Sequence, residues 1–254
     1  MGQTRPVKET ILRFLLGLLT LGLTFCAAGA VAADTGSRSL RVVLVGDSTV
    51  TDESGWGAGF KECLAEDVEC INAARGGRSS KSYRDEGWWA PVLKMDADYV
   101  LLQFGHNDQP GKGPEREAPA DTAYRANMTR YVEEARAAGM RPILVTSLVR
   151  RNFNAQGKIE SDLLDYVEVV KEVAAATNTP LVDLHARSIE LCESLGPEGC
   201  KTIEPPAPGK QDTTHLNTKG AKLIGRLVAE ELAGVVPELV SEIRIDSEAR
   251  SVPR

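Results

Sequence analysis

The sequence predicts an α/β fold in which a parallel sheet of about five strands is covered by helices. Three observations lead there. RVVLVG (residues 41–46) is apolar after its first residue, which marks a strand buried on both faces. Short apolar runs recur at VECINAA (68–74), ADYVLLQFG (97–105), RPILVTSL (141–148) and TPLVDLH (179–185). Helically periodic stretches separate the later runs, the alternation expected of βαβ units.

The helices carry their own signals. TAYRANMTRYVEEARAAG (122–139) puts Tyr124, Met128, Tyr131, Val132 and Ala135 on one stripe and closes on a glycine. SDLLDYVEVVKEVAAATN (161–178) repeats Leu164, Val167, Val170 and Ala174 behind a Ser/Asp cap. A final helix from about Lys219 to Val236 stops before Pro237. The Pro- and Gly-rich stretches 108–119 and 204–210 read as surface loops.

Residues 1–33 have a different character. Arg5, Lys8 and Arg13 precede an apolar run from Phe14 to Ala33, and Ala30-Val31-Ala32 offers a cleavage pattern, as in a secretory signal peptide. An uncleaved anchor is the alternative, but no charged stop-transfer flank follows. Cys26 inside the run follows Phe25, a poor fit to a lipoprotein acceptor. The domain is expected over 34–240, followed by a polar tail, 241–254.

The leader holds three cations and one anion, so its removal takes the formal charge from −6 to −8. An acidic chain has nothing to exchange for phosphate counterions, which argues against nucleic acid, and it is repelled by anionic membrane surfaces. A secreted or periplasmic monomer without stable membrane association is expected. The four remaining cysteines form two close pairs, for which the simplest exported arrangement is disulfides Cys63–Cys70 and Cys192–Cys200. Zinc is the alternative, but the spacings do not match short C-x-x-C pairs.

The strand ends carry the chemistry. The first run ends in Gly46-Asp47-Ser48-Thr49, the second leads into NAARGGRSSKSY (72–83), and the third into QFGHNDQP (103–110). QDTTHLNTKGA (211–221) sets Asp212 three residues before His215. A serine hydroxyl needs a base to take its proton, and histidine is the suitable base near neutral pH. That histidine needs an acceptor on its other nitrogen, and a carboxylate three residues away reaches it. Backbone N–H groups on a glycine turn and an asparagine amide are the donors an oxyanion requires.

GDST, GGRSSKSY, FGHND and DTTH, in this order across nearly the whole mature region, resemble the blocks of the SGNH (GDSL-like) hydrolases. In particular they resemble the rhamnogalacturonan acetylesterases, carbohydrate esterase family twelve. The resemblance implies a three-layer α/β/α sandwich of flavodoxin-like strand order. It implies Ser48 as nucleophile, His215 as base and Asp212 as its orienter. The implied oxyanion donors are the N–H groups of Ser48 and Gly77 and the side chain of Asn107. A register one residue earlier gives the glycine role to Gly76. The implied activity is removal of O-acetyl groups from rhamnogalacturonan, pectin or xylan through an acetyl-serine, without metal or cofactor. A lipase or thioesterase of longer acyl chains and a carbohydrate-binding protein without activity are the alternatives.

Other residues are read more plainly. His106 is expected to tie down its loop by hydrogen bonds, Asp47 to shape the nucleophile turn, Asp108 to anchor a loop, and His185 to be a core or surface histidine at a strand end. Trp56 and Trp88 are candidate sugar-stacking residues, and Trp89 divides evenly between packing and contact. Arg78, in a local cluster with Arg75, Lys81 and Arg84, is a candidate contact for an acidic glycan, against a solvated face paired with Asp85 and Glu86. Asn127-Met128-Thr129 fits an N-glycosylation acceptor but lies within an expected helix.

Overall fold

A computed structural model describes residues 38–206, 209 and 211–245. The leader read at 1–33 and the tail beyond 245 lie outside the described residues. Five strands form one parallel sheet: β1 (Arg41–Gly46), β2 (Glu69–Asn72), β3 (Tyr99–Gln103), β4 (Arg141–Val145) and β5 (Leu181–Val182), in the order β2-β1-β3-β4-β5.

Two apolar cores explain why the strands read as continuous hydrophobic runs. Val43, Val45, Val100, Leu102 and Leu144 enter one core; Val42, Leu44, Tyr99, Leu101, Ile143 and Val145 enter the other. Successive side chains of a strand point to opposite faces, so a strand buried on both sides has no polar register. The first core is closed by α2 (Ser82–Asp85), α3 (Trp89–Val92), α4 (Arg125–Ala137) and α5 (Leu164–Thr177). The second is closed by α1 (Gly57–Lys61), α6 (Leu184–Lys201) and α7 (Thr218–Val235). The result is a three-layer α/β/α sandwich. Gly59 of α1 and Gly225 of α7 let these helices meet backbone to backbone, since a Cβ on either would strike the other chain segment.

Several boundaries differ from the sequence expectation. The helix expected from 122 begins as a π-helical turn, Ala120–Tyr124, before α4. α5 opens at Leu164 without a side-chain cap; Ser161 instead accepts from the Leu163 N–H at 3.1 Å. The strand expected over 179–185 shortens to two residues, because Asp183 accepts from the Ala186 N–H and starts α6. Gly196 and Pro197 obscured that helix in sequence; they kink it, with Gly196 at φ 67°. The domain also runs past 240. A 3₁₀ turn, Pro237–Glu242, returns the chain to the core, where Ala65 N–H donates to Glu242 O at 2.8 Å and Ile243 bridges Leu64.

Cys63, Cys70, Cys192 and Cys200, the residues of the two expected disulfides, are placed without an S–S bond. Cys63 Sγ donates to Gly59 O at 3.4 Å, and Cys63 and Cys70 pack as small apolar side chains against the second core. Burial pushes the Cys70 thiol up to about 12. Cys192 and Cys200 are buried together across the Gly196 kink, and Cys200 Sγ points to Cys192 O at 3.6 Å. A hydrogen bond with Cys200 and burial push the Cys192 thiol up.

Candidate active site

The chain leaves β1 for β2 on one side and then crosses to β3 on the other, so the direction of progress reverses at β1. In open α/β sheets ligands collect in the crevice outside the carboxyl ends of the strands at such a reversal. Ser48, Gly77 and Asn107 follow β1, β2 and β3 at that edge.

The turn carrying Ser48 is held locally. Asp47 is buried, and its Oδ1 accepts from the N–H and hydroxyl of Thr49 at 2.8 and 2.7 Å. The Thr49 hydroxyl in turn accepts from Gln103 Nε2 at 2.6 Å, at the end of β3. The Ser48 carbonyl accepts from the hydroxyls of Thr51 and Ser54 at 2.9 and 3.1 Å. Burial alone would raise the Asp47 carboxyl, but the His106 ring 3.5 Å away and the Thr49 donors hold it below the ordinary value.

Ser48 Oγ lies 2.9 Å from His215 Nε2, and His215 Nδ1 lies 2.8 Å from Asp212 Oδ2. Asp212 Oδ1 accepts the N–H groups of Thr214 and His215, each at 3.0 Å. With Nδ1 donating to the carboxylate, Nε2 is the acceptor facing the serine hydroxyl. Burial pushes the Asp212 carboxyl up, yet the His215 N–H and ring and the Thr214 N–H outweigh it and lower it overall. Asp212 therefore remains ionised where a histidine can act as base.

The oxyanion candidates come from the turns after β2 and β3. Gly76 faces the serine, since a Cβ built there would lie 3.7 Å from Ser48 Cβ. Gly77 has φ +76°, the left-handed region that glycine enters without strain, and turns the chain toward α2. Asn107 Nδ2 donates to Arg78 O at 3.2 Å, which fixes its amide against this turn and leaves its second N–H for a ligand. Among the described residues, neither the Ser48 nor the Gly77 N–H is spent on a backbone carbonyl.

Comparison with known proteins agrees with this geometry. The model of the GDSL-like lipase/acylhydrolase family matches residues 44–223. The chain belongs to that family. A rhamnogalacturonan acetylesterase of Bacillus subtilis is 36% identical over 211 residues, covering 76% of this chain and 89% of its own. One from Emericella nidulans is 28% identical, with coverages of 72% and 80%. Among solved structures, the YxiM protein of Bacillus subtilis superposes with a TM-score of 0.69 at 27% identity, over 78% of this chain and 58% of that one. An acetylxylan esterase of Geobacillus stearothermophilus shares the fold alone, with a TM-score of 0.58 at 18% identity over 76% and 94% of the two chains. This GDSL-like protein is a carboxylic ester hydrolase of the rhamnogalacturonan acetylesterase group.

The aromatic candidates of this GDSL-like hydrolase separate sharply. Trp56 is corrected from a sugar contact to a core residue: it is 0% exposed, donates from Nε1 to Gln103 Oε1 at 3.0 Å and packs edge-on against Phe60. Its indole ties the start of α1 to the end of β3, and its backbone N–H donates to Thr49 O at 3.0 Å. Trp89 is also buried, donating to Glu134 and meeting Tyr131 edge to face. Trp88 is 36% exposed, with the Arg75 guanidinium 4.7 Å from its ring centre. Glu86 binds both the Trp88 Nε1 and Arg78 Nε, at 2.8 and 2.9 Å. Trp88, Arg75 and Arg78 thus form one surface group beside the glycine turn.

His106 is buried with its ring Nδ1 3.5 Å from Asp47 Oδ2, and its carbonyl accepts from Arg150 at 3.4 Å. The ring's role is to face the Asp47 carboxylate. His185 starts α6 with Nδ1 2.8 Å from Ser147 O, and burial lowers its basicity. Asp108 accepts from the Ser80 N–H and hydroxyl and the Gly105 N–H, and burial pushes its carboxyl up to about 7 despite them. Asn127 donates to Ser80 Oγ at 3.0 Å, so this sequon asparagine is engaged inside the fold. Among the described residues no cluster of His, Cys, Asp or Glu is arranged for a metal. Arg151 and Glu204 were absent from the sequence candidates, yet both are buried behind the Asp212–His215 turn. No short motif marks them, because the partners of the Arg151 side chain lie 53 to 64 residues away.

Proposed function

We propose that the protein is an exported serine esterase that removes O-acetyl groups from an acidic polysaccharide of the rhamnogalacturonan type through an acetyl-serine intermediate. The observation that carries this reading is the relay of 2.9 and 2.8 Å from Ser48 Oγ through His215 to Asp212. Export is supported by the basic, apolar and small-residue order of residues 1–33. The substrate is supported by the acetylesterase relatives and by the Trp88–Arg75–Arg78 group, an aromatic face with cations for uronate carboxylates.

In the reaction Ser48 Oγ attacks the acetyl carbonyl carbon as His215 Nε2 takes the hydroxyl proton. The oxyanion is met by the Ser48 and Gly77 N–H groups and the free N–H of Asn107. Asp212 stabilises the imidazolium through Nδ1. Collapse of the intermediate breaks the bond to the sugar oxygen, which takes the proton from His215 and leaves. Water, deprotonated by His215, then attacks the acetyl-serine, and acetate departs as the proton returns to Ser48.

The test is acetate release from acetylated pectin and acetylated xylan by residues 34–254, beside Ser48→Ala. Release from pectin that the substitution abolishes is expected. Release from xylan alone would discard the acidic substrate and keep the mechanism. Faster turnover of butyryl or longer esters than of acetyl esters would favour a lipase-like role. Glycan binding with no turnover of any ester would favour a carbohydrate-binding protein.

A further inference from the structure

The turn that carries Asp212 and His215 belongs to no helix or strand; α7 begins only at Thr218. Its carbonyl groups therefore lack the partners that regular structure supplies, and buried carbonyls need donors. One residue supplies them. Arg151 Nη2 donates to Asp212 O at 3.1 Å and His215 O at 2.6 Å, and Nη1 lies 3.5 Å from Thr214 O. The Arg151 backbone N–H donates to Thr213 O at 2.9 Å. All four consecutive carbonyls of the turn thus face Arg151, six residues beyond the end of β4.

The guanidinium is itself oriented. Its side chain is 1% exposed, and its Nε donates to Oε1 of Glu204, 4% exposed, at 3.1 Å. Glu204 Oε2 accepts from Gln211 Nε2 at 2.8 Å, at the head of the same turn. The Glu204 carbonyl accepts from Asn217, the residue that caps α7. The turn is therefore tied at its start, along its four carbonyls and at its end to one buried ion pair. A planar fork with separated donors can span two carbonyls and a carboxylate at once; a lysine ammonium offers three donors from one point and cannot.

We propose that Arg151 and Glu204 are positioning residues for the esterase reaction: their ion pair sets the place of the Asp212–His215 turn and hence the alignment of His215 Nε2 on Ser48. Neither residue touches substrate. Both act through the histidine, in the step where the serine proton moves. A misplacement of about 1 Å in such an arrangement costs on the order of 100-fold in rate.

This inference rests on the serine esterase reading, which hydrolysis of p-nitrophenyl acetate by the parent protein and its loss in Ser48→Ala establish independently. Arg151→Lys and Glu204→Gln in the full chain are then compared by kcat, KM and near-ultraviolet circular dichroism. The expected result for Arg151→Lys is a kcat lowered about 100-fold at a KM within about two-fold, in a folded protein. Glu204→Gln keeps an oxygen for Arg151 Nε but removes the charge that holds the fork; its kcat is expected to fall about 10-fold, also at nearly constant KM. If Arg151→Lys does not fold, Glu204→Gln decides. A folded variant with kcat within two-fold of the parent overturns the proposal, as does a rate loss that matches the unfolded fraction. An inactive parent would instead overturn the esterase reading.

Discussion

The two turns that meet at the site are held in opposite ways. The turn bearing Ser48 follows directly from the central strand β1 and is stabilised within its own few residues, by Asp47 with Thr49 and by Ser48 O with Thr51 and Ser54. Its outside support, Gln103 and Trp56, comes from the adjoining strand and the next helix. Among the described residues, the turn bearing His215 has short-range bonds only from Asp212 to Thr214 and His215, and its backbone is carried by Arg151 from another strand end. A nucleophile on a strand end inherits the rigidity of the sheet. A base on irregular chain must obtain its rigidity from tertiary contacts.

The strongest test of this contrast asks whether the two turns act as one unit. Ser48→Ala and His215→Ala are each expected to lower kcat by about 10⁴-fold or more, and the double variant to be no worse than either. Multiplying losses would show that the two residues do not share one step. Asn107→Ala removes a single oxyanion donor and is expected to lower kcat by about 100- to 1000-fold with little change in KM; an unchanged kcat would remove Asn107 from the site. Thr49→Val keeps the shape of the nucleophile turn but leaves Gln103 Nε2 without its acceptor. Its expected cost is about 1–3 kcal/mol of unfolding free energy, measured by urea denaturation. Its effect on the kcat of the folded protein should be smaller than that of Arg151→Lys, and a larger one would reverse the comparison. Trp88→Ala should leave p-nitrophenyl acetate hydrolysis unchanged and raise KM for acetylated pectin by about 3- to 10-fold, the worth of an exposed ring with a nearby cation. An equal KM for the polymer would exclude Trp88 from substrate binding.

How much of this was legible beforehand varied with the range of the interactions. β1 and β3 were readable because both faces of each strand are buried, which leaves an unbroken apolar run. α6 was hidden because Gly196 and Pro197 punctuate it, and its kink is stabilised by a buried cluster with Val149 rather than by its own propensity. Trp56 looked like a surface aromatic because it follows the nucleophile block closely. Its indole N–H finds Gln103, 47 residues away, and the ring is enclosed with Phe60. The cysteine spacings suggested two bridges; Cys63 and Cys70 pack against the second core, and Cys192 and Cys200 lie together in the cluster with Val149.

By itself the sequence determined the layer order, the strand ends that matter and the identities of Ser48, Asp212 and His215. The parallel sheet follows from the apolar runs, whereas the layer order and the roles of the three residues are what the resemblance of four ordered blocks to the SGNH hydrolases implies. The tertiary structure alone decided that His215 Nε2 lies 2.9 Å from a serine 167 residues away. It also decided that a buried arginine carries the turn, and that one tryptophan is core and another surface. Those outcomes depend on burial and on hydrogen bonds between distant segments, which exist only when the two cores close on the sheet.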